Sequence, residues 1–385
     1  MNVPRVLPGA TVGILGSGQL GRMLALSARE MGYRVHTYSP DRHSPTGQVA
    51  DAAHIGAYDD AAEMARFAQS VDVLTYEFEN ISSDAVAAAE QHAPVRPGRL
   101  ALHTAQSRLR EKRFLQECGF DLAPWTHLPA DANAAALTAA AAQVGLPLIG
   151  KTAGYGYDGK GQFRADTTAA LVQGRDQLNG DLVLERVIEF RCELSVVAVR
   201  TVAGEVSDFG VFENRHNQRH ILDTTVLPAP ISPALAARAR QLAHGIVDQL
   251  ELVGVLCVEM FLDGDDRLLV NELAPRPHNS GHLTIDACSC SQFDLQLRAV
   301  CGLPLPEVVQ HRPAAMANLL GDLWPPNGDP DWTAALDDPA VRLHLYGKQQ
   351  ARAGRKMGHL TVLADSVEEA RTRALDARGS LGSDE

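Results

Sequence analysis

Residues 271–282, Asn-Glu-Leu-Ala-Pro-Arg-Pro-His-Asn-Ser-Gly-His, set a carboxamide, a carboxylate, a guanidinium and two imidazoles close together. Asn271 and Glu272 close an apolar run, 267–270, expected to be a strand. A second apolar run, 254–258, leads into another carboxylate, Glu259, and the turn chemistry of 263–266 joins the two runs as a hairpin. In such a hairpin Glu259 and Glu272 lie side by side, and adjacent carboxylates repel unless a cation sits between them. Magnesium prefers oxygen ligands and normally arrives on nucleotide phosphates. A surface hairpin with solvated acids accounts for the glutamates alone. It accounts for neither the Arg, His and Asn that follow nor the prolines that stiffen them.

Other stretches could hold a ligand. Gly16-x-Gly18-x-x-Gly21 matches the dinucleotide fingerprint between a strand and a helix. The acid expected to hold an adenosine ribose at the end of the second strand is missing, with Tyr38, Ser39 and Pro40 there instead. A nicotinamide cofactor, a tight packing turn and a different ligand therefore all stay open, and Gln19 inside the loop favours a ligand. The run 154–162 is glycine-rich but lacks the Gly-Lys-Ser/Thr of a P-loop. It suits either a mobile flap whose amides cover phosphates, with Lys151 reaching the same phosphates, or a merely flexible hairpin. Glu185-Arg186-Val187-Ile188, with Glu193 further on, could hold an adenine and a ribose, although a glutamate at a strand end is common. Lys348, Arg352, Arg355 and Lys356 concentrate cations, either as a phosphate-monoester site or as a solvated basic turn.

The elements that must carry these groups read as follows. Strands at 10–15, 34–38 and 71–76, with a helix at 22–31, make a doubly wound α/β unit that exits through 89–100. Helices are expected at 107–118, 130–144 and 232–250, the last with Pro233 in its first turn. Strands are expected at 181–185, 193–200, 341–346 and 358–363, and prolines punctuate the chain after Gly302. No internal repeat is visible.

The 385 residues, 45% hydrophobic and 21% charged, describe a globular chain of two or three domains. A net charge of −12 argues against nucleic-acid binding, which needs basic surface, yet leaves room for a phosphorylated small substrate. Six cysteines without a Cys-x-x-Cys pair read as reduced thiols. No signal sequence or membrane-spanning run is seen, so a cytoplasmic location is expected.

Taken in order, Gly-Ser-Gly-Gln-Leu-Gly-Arg-Met (16–23), Tyr-Glu-Phe-Glu-Asn (76–80), Gly-Tyr-Asp-Gly-Lys-Gly-Gln (156–162), the 271–282 motif and Tyr-Gly-Lys (346–348) followed by Lys-Met-Gly-His (356–359) resemble the N5-carboxyaminoimidazole ribonucleotide synthetases. These are ATP-grasp ligases of purine biosynthesis, and the resemblance covers about residues 10–365. His-Asn-Ser-Gly-His separates the family from formate-dependent glycinamide ribonucleotide transformylase, which is similar in all three domains. The resemblance implies a mixed α/β and α+β chain: an N-terminal α/β domain (1–104), an ATP-grasp domain (105–302) with a lid at about 125–190, and a C-terminal domain (303–385).

It also implies roles. Arg108, Lys151, the flap residues Gly156, Tyr157, Asp158, Gly159, Lys160, Gly161 and Gln162, then Glu185, Arg186, Val187, Ile188, Glu193 and His216 would hold ATP, with Asn271 and Glu272. Glu259 and Glu272 would bind Mg2+, with Mn2+ as an alternative. Gln19, Leu20, Glu77, Glu79, Asn279, Ser280, Lys348, Arg355 and Lys356 would contact 5-aminoimidazole ribonucleotide. Arg276 and Lys151 would act on the transferred phosphate, and Asp158 and His278 on bicarbonate or the amine proton. The partners implied are ATP, bicarbonate and the ribonucleotide, in a homodimer. The flap's lead-in, Thr152-Ala153-Gly154-Tyr155, departs from the Arg- or Gly-rich pattern of the family.

Overall fold

A computed structural model describes residues 5–154 and 161–382. Three sheets follow one another along the chain. The first is parallel, in the order β3-β2-β1-β4, from β1 (Thr11–Leu15), β2 (Arg34–Ser39), β3 (Ala52–Ile55) and β4 (Val73–Tyr76). Both β1 and β4 are buried throughout, as strands covered on both faces must be. The helix α1 (Gln19–Glu30) follows β1 directly, three residues ahead of the expected start, because Gly18 serves as its N-cap.

The second sheet is antiparallel, in the order β5-β8-β6-β7, from β5 (Trp125–Leu128), β6 (Leu148–Thr152), β7 (Gln162–Ala165) and β8 (Leu182–Arg186). Before it comes α2 (Arg108–Glu117), capped by the Ser107 hydroxyl, which accepts from the Arg110 amide.

The third sheet has eight antiparallel strands: β9 (Phe190–Arg200), β10 (Val206–His216), β11 (Leu222–Leu227), β12 (Gly254–Asp263), β13 (Leu268–Ala274), β14 (Ala314–Leu320), β15 (Val341–Leu345) and β16 (Lys356–Leu363). Their order is β13-β12-β9-β10-β11-β14-β16-β15, so one sheet runs through the expected boundary at 302/303. The predicted hairpin is β12-β13, but both strands run longer than expected and hold Glu259 and Glu272 inside them instead of at their ends.

Two helices sandwich this sheet. The helix α3 (Pro233–Gln249), capped by Ser232 and with Pro233 in its first turn as expected, buries Leu235, Ala239, Ala243, Ile246 and Val247 against Leu194, Val196, Leu256 and Val258. On the other face α4 (Gln292–Val300) gives Leu295 and Ala299 to the large sheet's core, and Phe293, Leu297 and Val300 to the first sheet's core. Each such buried Leu, Val or Phe contributes about 1.5–3 kcal/mol, so α4 joins the two units. A polar pin reinforces it. The fully buried Gln296 donates to Thr75 Oγ1 (2.8 Å) on β4 and accepts from the Val255 amide (2.6 Å) on β12.

Candidate active site

Glu259 and Glu272 stand opposite each other in the β12-β13 register. The pairing then slips between Glu259 and Met260, which faces Val270, so Asn271 is the extra residue of a β-bulge. Burial, and then the neighbouring Glu272, push the Glu259 carboxyl up to about 7. A pair that resists double ionisation is one that a cation would stabilise. Among the described residues no group of three or more His, Cys, Asp or Glu could hold a metal unaided. The donor set is thus two oxygens that need phosphate oxygens to complete it, which suits magnesium on a nucleotide.

Beside them lies a cavity lined by Glu79, Arg108, Lys151, Glu185, Glu272 and Arg276, among others. Glu185, on β8, is the anchor of its cationic side: Lys151 Nζ lies 2.8 Å from one carboxylate oxygen and Lys112 Nζ 3.0 Å from the other. Burial alone would raise the Glu185 carboxyl, but the two lysines outweigh it and hold it at about 2. Arg108, at the start of α2, donates to the Thr152 carbonyl (3.3 Å) where β6 gives way to the glycine-rich flap. The flap residues Gly156, Tyr157, Asp158, Gly159 and Lys160 lie outside the described residues. Gly161, at φ +69°, and Gln162, paired with Lys151, bring the chain back into β7. Arg186 is exposed, while Val187 and Ile188 are half-buried.

The glycine fingerprint is already occupied. The buried Glu77 carboxylate accepts from the amides of Gly18 and Gly21 (2.6 Å to the latter). A Cβ on Gly16 would come within 2.4 Å of Glu77, and one on Gly21 within 2.5 Å of Thr46. An internal carboxylate thus takes the helix N-terminus that a dinucleotide phosphate would need, which removes the basis for a nicotinamide cofactor. Gln19 and Leu20 sit at the start of α1, on the loop that Glu77 holds. Two residues on, Glu79 pairs with Arg276 Nε at 2.8 Å. Burial would weaken the guanidinium's hold on its proton, but Glu79 more than offsets it.

His278 sits on this hairpin's exit, with Nε2 3.7 Å from Glu259 and Nδ1 2.9 Å from the Ser280 hydroxyl. Burial and the nearby Arg276 keep its imidazole neutral, well below the usual histidine range. Ser280 was expected to touch substrate. It is fully buried instead, its hydroxyl tied to Ser195 (3.0 Å) and through it to Asn214 and Thr225, so it braces His278. Asn279 differs: it is 7% exposed and neither atom of its amide has a hydrogen-bond partner. On β10, His216 Nδ1 lies 2.6 Å from Glu193. Burial disfavours its charge, yet Glu193 raises the imidazole above its ordinary value.

The basic turn closes over the first domain. Lys348 donates to the Lys356 carbonyl (2.6 Å), Arg355 to the Gln350 carbonyl (2.7 Å), and Gln48 to the Gly347 carbonyl (2.7 Å). Sequence reasoning missed Glu111 and Lys112, both buried and lining the same cavity. The available signal was the i, i+4 spacing of Arg108 and Lys112 on one face of α2.

The ATP-grasp domain family matches residues 113–293, the ribonucleotide synthetase preATP-grasp domain 9–106, and the phosphoribosylaminoimidazole carboxylase C-terminal domain 314–373. Fold and site together define an ATP-grasp ligase. The N5-carboxyaminoimidazole ribonucleotide synthase of Bacillus subtilis (strain 168) is 42% identical over 369 residues, spanning 94% of each chain. The solved N5-carboxyaminoimidazole synthetase of Staphylococcus aureus, complexed with ADP, superposes with a TM-score of 0.90 at 35% identity, covering 98% of this chain and 99% of its own. That of Aspergillus clavatus, in complex with ADP and 5-aminoimidazole ribonucleotide, gives 0.87 at 32% identity, covering 96% and 98%. The chain belongs to the N5-carboxyaminoimidazole ribonucleotide synthase family.

Proposed function

We propose that the protein carboxylates 5-aminoimidazole ribonucleotide with bicarbonate at the expense of ATP, giving N5-carboxyaminoimidazole ribonucleotide, ADP and phosphate in purine biosynthesis. The observation that carries this reading is the in-register pair Glu259 and Glu272 beside a cavity holding Lys151, Glu185 and Arg276. Glu259 and Glu272 would hold Mg2+ or Mn2+, which when bound would supply charge neutralisation for the transferred phosphoryl group. Lys151 and Arg276 place fixed positive charge where the transferred phosphoryl group passes. A bicarbonate oxygen attacks the γ-phosphorus, the bond to ADP breaks, and carboxyphosphate forms. The substrate amine then attacks the carboxyl carbon, phosphate leaves, and the amine loses its proton. Asp158 and His278 are the candidates for placing bicarbonate or handling the amine proton; Nδ1 of the neutral His278 accepts from the Ser280 amide, which leaves Nε2 as an N–H donor suited to a bicarbonate oxygen.

Arg108, Gly161, Gln162, Arg186, Val187, Ile188, Glu193, His216 and Asn271 surround the nucleotide in this reading. Asn279, whose buried amide lacks a partner, and Gln19, Leu20, Glu79, Lys348, Arg355 and Lys356 hold the ribonucleotide, the last three at its phosphate. Glu77 holds the loop that carries Gln19. The division at 104/105 and 302/303, the homodimer and a cytoplasmic location belong to the same proposal, and six unpaired cysteines suit a reducing compartment. Bicarbonate labelled with 18O tests the route. One labelled oxygen should appear in inorganic phosphate for each turnover, and unlabelled phosphate would exclude carboxyphosphate.

A further inference from the structure

Glu272, the proposed metal carboxylate, lies on β13, the edge strand of the large sheet, whose outer side meets only an isolated bridge from Leu122 to Val270 and no full strand. Two consecutive residues of α2 fill that need on either side of it. Lys112 Nζ donates to the carbonyl of Asn271, the bulge residue before Glu272, at 2.9 Å. Glu111 accepts from the amide of Leu273, the residue after it, at 3.1 Å. The same Lys112 ammonium, only 1% exposed, is ion-paired at 3.0 Å to Glu185, on β8 of the small sheet. Lys112 is therefore a single buried cation shared between the nucleotide side of the cavity and the strand that presents the metal carboxylate. A buried ammonium persists only where its partners are fixed, so the position of each partner constrains the other.

We propose that Lys112 is a positioning residue that couples the two halves of the site, so that nucleotide binding at Glu185 and metal binding at Glu272 reinforce each other through it. This rests on the proposed reading of the cavity as a magnesium–nucleotide site. Coupling between two ligands is a free energy that a thermodynamic cycle measures directly.

Calorimetric titration of ADP with and without magnesium gives the coupling as the ratio of the two affinities, free of turnover. In Lys112→Met the ratio should fall about tenfold towards one, while the magnesium-free ADP affinity changes by less than about threefold. A wild-type ratio in folded Lys112→Met would overturn the proposal, and would do so equally if both affinities dropped together, as for a direct nucleotide contact. Should Lys112→Met fail to fold, Lys112→Gln is read by the same ratio with the same two outcomes. A wild-type protein that binds ADP with no dependence on magnesium would instead refute the metal site itself.

Discussion

Two buried carboxyls a short way apart on the same cavity wall titrate in opposite directions, and the cause is the charge each one faces. Glu185 faces two lysines and is held at about 2, against about 4.3 for a free glutamate. Its contribution to stability is therefore complete above about pH 4.3 and fades as pH falls towards 2, on the order of 3 kcal/mol in all. Glu111 is pushed up to about 8 by burial and then by Glu272. It folds as the neutral acid, so its contribution is full below about pH 4.3 and is lost as pH rises to about 8. Urea unfolding of Glu111→Gln should show a variant that gains on the wild type between pH 6 and 8.5, because the amide keeps the shape and the acceptor for Leu273 without the charge. An unchanged difference across that range would contradict the neutral assignment. Glu185→Gln should flatten the acid limb between pH 5 and 3, and an acid limb as steep as the wild type's would count against the lysine clamp.

Elements differ in how far the sequence exposes them. The β12-β13 hairpin was legible because its turn chemistry and apolar runs are local, and α3 because Ser232 and Pro233 mark its start. The strand β14, Ala-Ala-Met-Ala-Asn-Leu-Leu, carries no alternation or β-branched residue, and only its place between β11 and β16 makes it a strand. Glu77 filling the glycine loop depends on β4 lying beside β1, a pairing between residues some sixty positions apart. Lys112 meeting Glu185 was hidden for the same reason, since a lysine on a polar helix reads as solvent-facing until the partner sheet is placed. The seam made by α4 also escapes local reading, because Gln296 looks like a surface residue. Gln296→Leu would strand the Val255 amide and the Thr75 hydroxyl, at a cost of about 1–3 kcal/mol for each. Thermal unfolding should show a clear loss of Tm; a Tm equal to the wild type's would mean that apolar packing alone holds the two units together.

At the scale of the molecule, three sheets bring together groups that lie far apart in sequence. The loop after β4 contributes Glu79, α2 contributes Arg108, the small sheet contributes Lys151 and Glu185, and the large sheet contributes Glu259 and Glu272. Charge is arranged with that assembly: the chain is strongly acidic overall, yet cations collect on Glu185 and at the basic turn around Lys348 and Arg355. A net charge of −12 thus says little about ligands once the fold has sorted the lysines and arginines. The central claim is that this assembly is a carboxylating ligase acting on 5-aminoimidazole ribonucleotide. Its most direct test is ADP release from magnesium-ATP and bicarbonate, measured with and without the ribonucleotide, in the wild type and in Glu272→Gln. Strong stimulation by the ribonucleotide, lost by about a hundredfold or more in the variant, is the predicted result. A protein that binds ATP but shows no stimulation, or a Glu272→Gln variant that turns over like the wild type, would contradict the account.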